Sequence, residues 1–392
     1  MPSEIAPGTP SWLASVNDRA ALKLALERGV ITRNLLHQET GLSKPTAAQM
    51  ISRLTEAGLI RSIGPVPGKR GPNPIGYAPD PDNELGVAMD VSEHSIEATL
   101  VDVLGTVHPT VKLERTKDAA GRTQEEIAVR ETRRALELAA KRGGRTASQV
   151  KQLLISVPAS VAEGGNLFHL AGSVPPWPTE GLSDLLSQKL DKKVTFARDA
   201  TLAAQAEIHA RPNMRTFALL WIGWGLGLST VFEGQILQGA SGRAGEIGYL
   251  RPERGEPWEM QGLLGPVALV QLAQQAGMSG DSFESALQKL GTLADRSPNL
   301  SKAERAAMGQ LADRIAYFAS LLVYITDPGT LVIGGPVGAA GGEALADLVQ
   351  EKIENETGWG LQVQPTLIPE GQVLAGARDL LRDGLISAML SE

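Results

Sequence analysis

Side chains suited to DNA contact are concentrated in one short stretch near the amino terminus. A helix is predicted from about Lys44 to Ala57. At about 100° per residue, one face of this helix is apolar, formed by Ala47, Ile51 and Leu54 with Met50 at its edge. The first turn and the opposite face supply the predicted contacts to bases and phosphates: Lys44, Pro45, Thr46, Gln49 and Arg53. A solvated surface helix has the same pattern, so that interpretation stays open for the helix alone.

A basic loop after this helix strengthens the nucleic-acid interpretation. Two strands are predicted at residues 59–63 and 75–78, and the loop between them carries Lys69 and Arg70 between glycines. Such a loop suits the narrow minor groove of A·T-rich DNA, whose negative potential attracts arginine; the alternative is an exposed turn. Because two helices precede the third, the order predicts a winged helix-turn-helix DNA-binding domain over residues 11–80.

Composition limits what the rest of the chain does. Its 392 residues include no cysteine, which excludes disulfides, cysteine-ligated zinc, iron–sulfur clusters and thiol nucleophiles. No apolar run reaches the ~18–20 residues of a membrane span, and the first ten residues lack the regions of a signal peptide. We therefore expect a cytoplasmic protein with no membrane partner.

Charge is distributed unevenly along the chain. Residues 11–80 carry nine Lys and Arg against five Asp and Glu, whereas residues 81–392 carry 28 against 38. A basic head on an acidic body favours an anionic partner for the head alone. In the body, three strands, a long helix and strand–helix units are predicted twice, which indicates two similar α/β lobes.

Several segments resemble the ROK family of transcriptional regulators and sugar kinases. The matching segments are 40–46, 54–60, 199–204, 242–249, 333–336 and 375–377. The resemblance implies an α/β fold, with the N-terminal winged helix-turn-helix followed by a two-lobed actin-like (sugar kinase/ribonuclease H-like) domain over residues 81–392. The lobes are expected at about 84–199 with the C-terminal helix 377–390, and at 200–376, with a sugar site between them.

The phosphate loops expected of a kinase in this family are altered. The first loop needs glycines for the close approach of phosphates to backbone N–H groups, but residues 90–95 contain none, and Glu93 repels phosphate. The second loop keeps its glycines, but Trp224 replaces a small hydroxyl residue. We therefore expect no ATP or other cofactor and no enzymatic activity, and we expect Trp224 to pack between the lobes.

The family's sugar-site positions are partly kept. Asp199 corresponds to the general base and Glu246 to a sugar-contacting glutamate, whereas Arg198 and Tyr249 replace the usual Asn and His. The resemblance predicts an effector site formed by Ser173, Arg198, Asp199, Glu246, Tyr249 and Glu259. For Arg198, pairing with Asp199, contact with an acidic ligand group and a surface ion pair all stay open.

The family's zinc site is expected to be lost. Tyr249 stands at the first ligand position, and the three cysteines that complete the site are missing. A tetrahedral site cannot be rebuilt here without thiolates. We predict that Trp258 and Leu263 replace the metal with apolar packing.

Together these features predict a DNA-binding transcriptional regulator. It is expected to be a repressor of carbohydrate-related genes whose DNA affinity responds to a sugar or sugar derivative. As a homodimer or homotetramer, it would bind double-stranded DNA at a pseudo-palindromic operator. Two alternatives stay open: a ligand-independent regulator whose body serves only oligomerisation, and an active sugar kinase with a fused DNA-binding module.

Overall fold

A computed structural model describes residues 10–67, 73–115, 121–161, 167–170, 177–251, 260–275, 277, 282–358 and 360–391. In this part of the chain, a helical head with a two-stranded hairpin precedes two five-stranded sheets. None of the described helices is long and apolar enough to cross a membrane.

The head contains three helices and a hairpin. These elements are α1 (Pro10–Arg28), α2 (Arg33–Thr40), α3 (Lys44–Glu56), β1 (Ile60–Pro65) and β2 (Ile75–Pro79). The first helix was expected to open at about Asn17, but it begins seven residues earlier. A side-chain hydroxyl caps the amino terminus of each of the next two helices. The Thr32 hydroxyl accepts from the Leu35 N–H at α2, and the Ser43 hydroxyl accepts from the Thr46 N–H at α3.

The apolar face of α3 forms the centre of the head's core. Ala47, Ile51 and Leu54 are buried as predicted. Met50 is fully buried too, so it belongs to the core rather than to the edge of that face. Ile31, between α1 and α2, pairs with Tyr77 of β2 and so joins the hairpin to the helices.

The first sheet of the body has the order β5-β4-β3-β6-β9. Its strands, with a separate hairpin β7–β8, are β3 (Leu85–Val91), β4 (Ser95–Asp102), β5 (Val111–Glu114), β6 (Gln152–Val157), β7 (Ala159–Val161), β8 (Leu167–Leu170) and β9 (Lys193–Arg198). The third strand was expected from Thr106, but β5 starts at Val111. Residues 105–110 are not part of a strand; here the Thr106 N–H and the His108 ring bond the carboxylate of Asp102.

The second sheet has the order β12-β11-β10-β13-β14. Its strands are β10 (Phe217–Ile222), β11 (Leu226–Phe232), β12 (Gln235–Ile236), β13 (Thr330–Gly334) and β14 (Gln362–Pro365). The helices of the body are α4 (Gln124–Arg142), α5 (Leu182–Leu190), α6 (Asp199–Ala210), α7 (Gln261–Leu264), α8 (Pro266–Gln275), α9 (Phe283–Arg296), α10 (Lys302–Thr326), α11 (Gly335–Thr357) and α12 (Gln372–Met389).

Helices α6 and α12 pack closely against each other. Helix α12 also contacts β3, β4 and β6 of the first sheet, whereas α6 contacts β10 and β11 of the second. A Cβ atom at Gly376 would lie 1.7 Å from the carbonyl oxygen of Leu202, so only glycine permits this helix contact. The segment 375–377, one of those that resemble the ROK family, lies inside α12.

A buried carboxylate joins this helix pair to the end of the second sheet. Glu207 of α6 is 0% exposed. One of its oxygens accepts hydrogen bonds from the Thr366 hydroxyl (2.5 Å), the Gln372 amide (2.9 Å) and the Leu367 N–H (3.2 Å). The other oxygen accepts from the Arg211 guanidinium at 2.7 Å. Both oxygens of the Glu207 carboxylate therefore have hydrogen-bond partners within the protein.

We expect Glu207→Gln to lower the free energy of unfolding by about 2–4 kcal/mol. The amide would keep the size of the side chain but leave the buried Arg211 without its counter-charge. Urea unfolding followed by circular dichroism measures the loss, with the exposed Glu351→Gln as control. Equal stability of the two variants would contradict a structural role for this network.

Candidate DNA-contacting head and effector cleft

The first turn of α3 presents polar groups to solvent. Lys44, Pro45 and Gln49 are exposed, and Thr46 is partly exposed. The Thr46 hydroxyl lies 2.9 Å from that of Ser43, the residue that caps the helix. The predicted base-contacting groups therefore stand at the amino-terminal end of α3, where the helix also favours anions such as phosphate.

Arg53, at the other end of α3, has a different environment from the one predicted. Its Nε and Nη2 atoms donate to the two carboxylate oxygens of Asp18 on α1 at 2.6 and 2.7 Å. This hydrogen-bonded pair raises the pKa of Arg53 above its ordinary value. This bidentate pair holds α1 against α3, while the Arg53 side chain stays 40% exposed. Its contact with DNA stays a prediction.

The wing contains the antiparallel pair β1–β2. The register runs from Ile60 opposite Pro79 to Pro65 opposite Ile75, with an irregularity between Ser62 and Gly64. Lys69 and Arg70, the predicted minor-groove contacts, lie outside the described residues. Their role stays a prediction.

A narrow cleft lies where β9 ends and α6 begins. Four of the predicted effector residues line it together: Arg198, Asp199, Glu246 and Tyr249. Ser173 and Glu259, like Trp258, lie outside the described residues, whereas Leu263 packs against the large apolar core of the second sheet. Gln261 also lines the cleft, and its amide donates to the Trp224 carbonyl at 3.1 Å. The sequence analysis did not predict Gln261 because this residue lies in none of the segments that resemble the ROK family.

The Arg198 guanidinium has partners within the protein. It donates to Glu246 Oε1 and to the Ala244 carbonyl, both at 2.8 Å, and its side chain is 8% exposed. Arg198 is therefore paired with Glu246 and not with its neighbour Asp199. This pair connects the end of β9 with the glycine-rich segment after β12.

Asp199 lies at the first position of α6. One carboxylate oxygen accepts from the Ala200 N–H at 2.7 Å. Burial raises the pKa of Asp199 to about 6, although the Ala200 N–H and the charge of Arg198 act in the opposite direction. A weakly acidic, buried carboxylate of this kind is a good acceptor for a ligand hydroxyl.

The two segments that correspond to the phosphate loops of a kinase make contacts with side chains of this protein. Arg115 donates to the carbonyls of Ser92 and Glu93 at 2.9 and 3.0 Å. Trp224 makes edge-on ring contacts to His94, with centroids 6.4 Å apart, and to Phe283 at 5.1 Å. The prediction that Trp224 packs between the lobes is thus confirmed, since His94 follows β3 and Phe283 begins α9.

A second cavity of about 290 Å³ lies beside these loops. Asp90, Glu97, Gly335 and Gln372 are among its lining residues. Burial, together with the nearby carboxylates of Asp199 and Glu97, raises the pKa of Asp90 to about 7. The Gln372 side chain accepts from the Gly335 N–H at 3.2 Å, so it occupies a donor at the start of α11. This backbone N–H is therefore not available to a phosphate oxygen.

Comparison with known protein families agrees with both parts of the chain. Residues 15–61 match the winged helix-turn-helix DNA-binding family, and residues 86–372 match the ROK family. The chain belongs to the ROK family.

Both regulators and kinases are found among the proteins similar to this ROK chain. The xylose repressor of Caldicellulosiruptor bescii is 22% identical over 248 residues, covering 62% of this chain and 60% of that protein. The glucokinase of Halalkalibacterium halodurans is 30% identical over 191 residues, covering 44% and 58%. The chain therefore spans about three fifths of the length of these two relatives.

Solved structures share the fold of this ROK protein. A ROK family transcriptional regulator, a homologue of the E. coli MLC protein, superposes with a TM-score of 0.70 at 17% identity, covering 96% of this chain and 99% of that one. A ROK glucokinase from Streptomyces griseus, in complex with glucose and AMPPNP, gives 0.59 at 22% identity, covering 76% and 98%. At these identities the likeness concerns the fold.

We expect Asp90→Asn to stabilise the ROK protein at pH 8 by about 1–2 kcal/mol. A carboxylate whose pKa is raised by folding contributes stability at low pH and loses it as pH rises through the folded pKa, about 7 for Asp90. The gain should therefore vanish towards pH 4. Thermal unfolding between pH 4 and pH 8 tests this, with the exposed Asp295→Asn as control; a pH-independent difference would contradict it.

Proposed function

We propose that this chain is a transcriptional repressor that binds DNA through α3 and the wing, and that a sugar in the cleft modulates its affinity. The observation that carries the proposal is the exposed, polar first turn of α3 on a winged head joined to a ROK body. The similar xylose repressor supports a link to sugar-dependent gene control. A protein with this function works in the cytoplasm, where bacterial DNA lies.

The body is proposed to sense a ligand rather than to phosphorylate it. Residues 90–95, which correspond to the first phosphate loop of a kinase, contain no glycine, and Trp224 stands in the second loop and contacts His94. Asp199 and Glu246 line the cleft and are suited to accept hydrogen bonds from sugar hydroxyls. Arg198 already takes one oxygen of Glu246, which favours an uncharged sugar over one with an acidic group.

A contiguous apolar cluster provides a route from the cleft to the head. It includes Leu22 and Leu54 of the head together with Leu381 and Leu385 of α12. The Asn83 amide also donates to the Gly58 carbonyl at 3.3 Å, and Arg145 pairs with Asp82 at 2.7 Å. Because α12 packs on α6, a change in lobe angle would be transmitted to the head. We propose that two heads of a homodimer bind a pseudo-palindromic operator.

The residues of α3 should have separable effects on DNA binding. We expect Lys44→Ala to weaken binding to all sequences and to lower the slope of log affinity against log salt by about 1, because Lys44 contacts phosphate. Gln49→Ala should cost about 1–3 kcal/mol at one base pair, because Gln49 contacts a base edge.

Fluorescence anisotropy with operator fragments selected from the regulator's own genome measures both effects. Lys23→Ala, which removes an exposed cation from α1, is the matched control. If no sequence-selective binding is found at any salt concentration, the repressor function is wrong. Sedimentation of the DNA complex gives the number of chains bound.

The cleft should determine the response to sugars. Xylose, glucose and their phosphates are tested for release of the protein from DNA and for a thermal shift. We expect an uncharged sugar to act on the wild type and to lose at least about tenfold of its potency in Asp199→Asn, which removes one acceptor charge. Asp295→Asn should respond like the wild type.

Two results would favour the competing functions. If every sugar leaves both DNA binding and thermal stability unchanged, the body serves only oligomerisation. If ADP is released in the presence of ATP and any of these sugars, the chain is a kinase, as the similar glucokinase is.

A further inference from the structure

A groove of about 930 Å³ lies between α4 and α5, and it shares no lining residue with the effector cleft. Val129 and Leu185 give it an apolar part. Its cationic lining consists of Arg122, Arg130, Arg133, Arg134 and Lys189, against three acidic residues, Glu125, Glu126 and Glu137. The lining is thus net positive on a body that is otherwise acidic.

The arginines of the groove are largely unneutralised. Arg130 and Arg134 are exposed, and no carboxylate of the described residues lies within 4.0 Å of either guanidinium. Arg133 donates to the Lys189 carbonyl at 3.0 Å, a neutral acceptor at the end of α5. Like charges four residues apart on a helix repel each other, so Arg130 and Arg134 do not stabilise α4 through their charges.

Two of the carboxylates nearest in sequence, Glu126 and Glu131, are engaged elsewhere. Glu126 accepts from the Thr123 N–H at 2.9 Å in the cap of α4. Glu131 faces Arg115 at 3.2 Å and accepts from the Trp177 ring nitrogen at 2.9 Å. These two carboxylates therefore stabilise the fold and do not neutralise the arginines of the groove.

We propose that this groove docks an acidic segment of a partner protein. Asp and Glu side chains of that segment would pair with Arg130 and Arg134, and its apolar side chains would contact Val129 and Leu185. Charge complementarity favours such a partner, and guanidinium groups bind carboxylates in a bidentate manner. The repressor would then have a protein-binding surface distinct from both the DNA-contacting head and the sugar cleft.

Charge reversal on α4 tests the proposal. The probe is a fluorescein-labelled peptide rich in Glu and Leu, and the full-length protein is titrated by fluorescence anisotropy. We expect R130E/R134E to weaken peptide binding by at least about tenfold, and we expect added salt to weaken wild-type binding. The control K141E/R142E makes the same charge change on the same helix outside the groove and should bind as the wild type does.

Three outcomes would overturn the proposal. The first is the absence of peptide binding to the wild type, and the second is equal weakening in R130E/R134E and in the control. The third is unchanged peptide binding with a loss of affinity for random-sequence duplex DNA, because the groove would then be a DNA surface. Circular dichroism checks folding; if the reversal unfolds the protein, R130Q/R134Q replaces it, with K141Q/R142Q as control.

Discussion

The buried charge of Glu207 is the constraint on which the arrangement of the two lobes depends. A carboxylate with no exposure to water needs hydrogen bonds and a counter-charge from the protein, and Arg211, Thr366 and Gln372 supply them. These partners lie directly after α6, in the segment after β14 and at the start of α12. The hydrogen bonds of this one carboxylate therefore hold α6 against α12 and against the end of the second sheet.

The position of α6 in turn determines the effector cleft. Asp199 begins this helix, and Arg198 ends the strand that leads into it. The strand end and the glycine-rich segment after β12 are connected by the Arg198–Glu246 pair at 2.8 Å. A ligand that binds here acts on groups that already hold the lobes together, which suits a site that changes their relative position.

The proposal that this scaffold no longer transfers phosphoryl groups depends on its two altered loops. Residues 90–95 contain no glycine for the close approach of phosphates to backbone N–H groups, and Trp224 stands in the second loop, against His94. The proposed functions depend on three surfaces outside the cleft: the polar end of α3, the apolar cluster that reaches α12, and the basic groove of α4. Net negative charge on the body and exposed cations on the head direct DNA towards the head.

Helical periodicity and the ROK motifs were sufficient to predict the winged head, the apolar face of α3, the two-lobed body and the grouping of Arg198, Asp199, Glu246 and Tyr249. These features depend on local pattern or on motifs of contiguous residues. The tertiary structure alone decided that Arg53 pairs with Asp18, that Arg198 pairs with Glu246, and that Glu207 bonds Thr366. These partners are 35, 48 and 159 residues apart in the sequence, so their pairing depends on how the chain brings distant elements together.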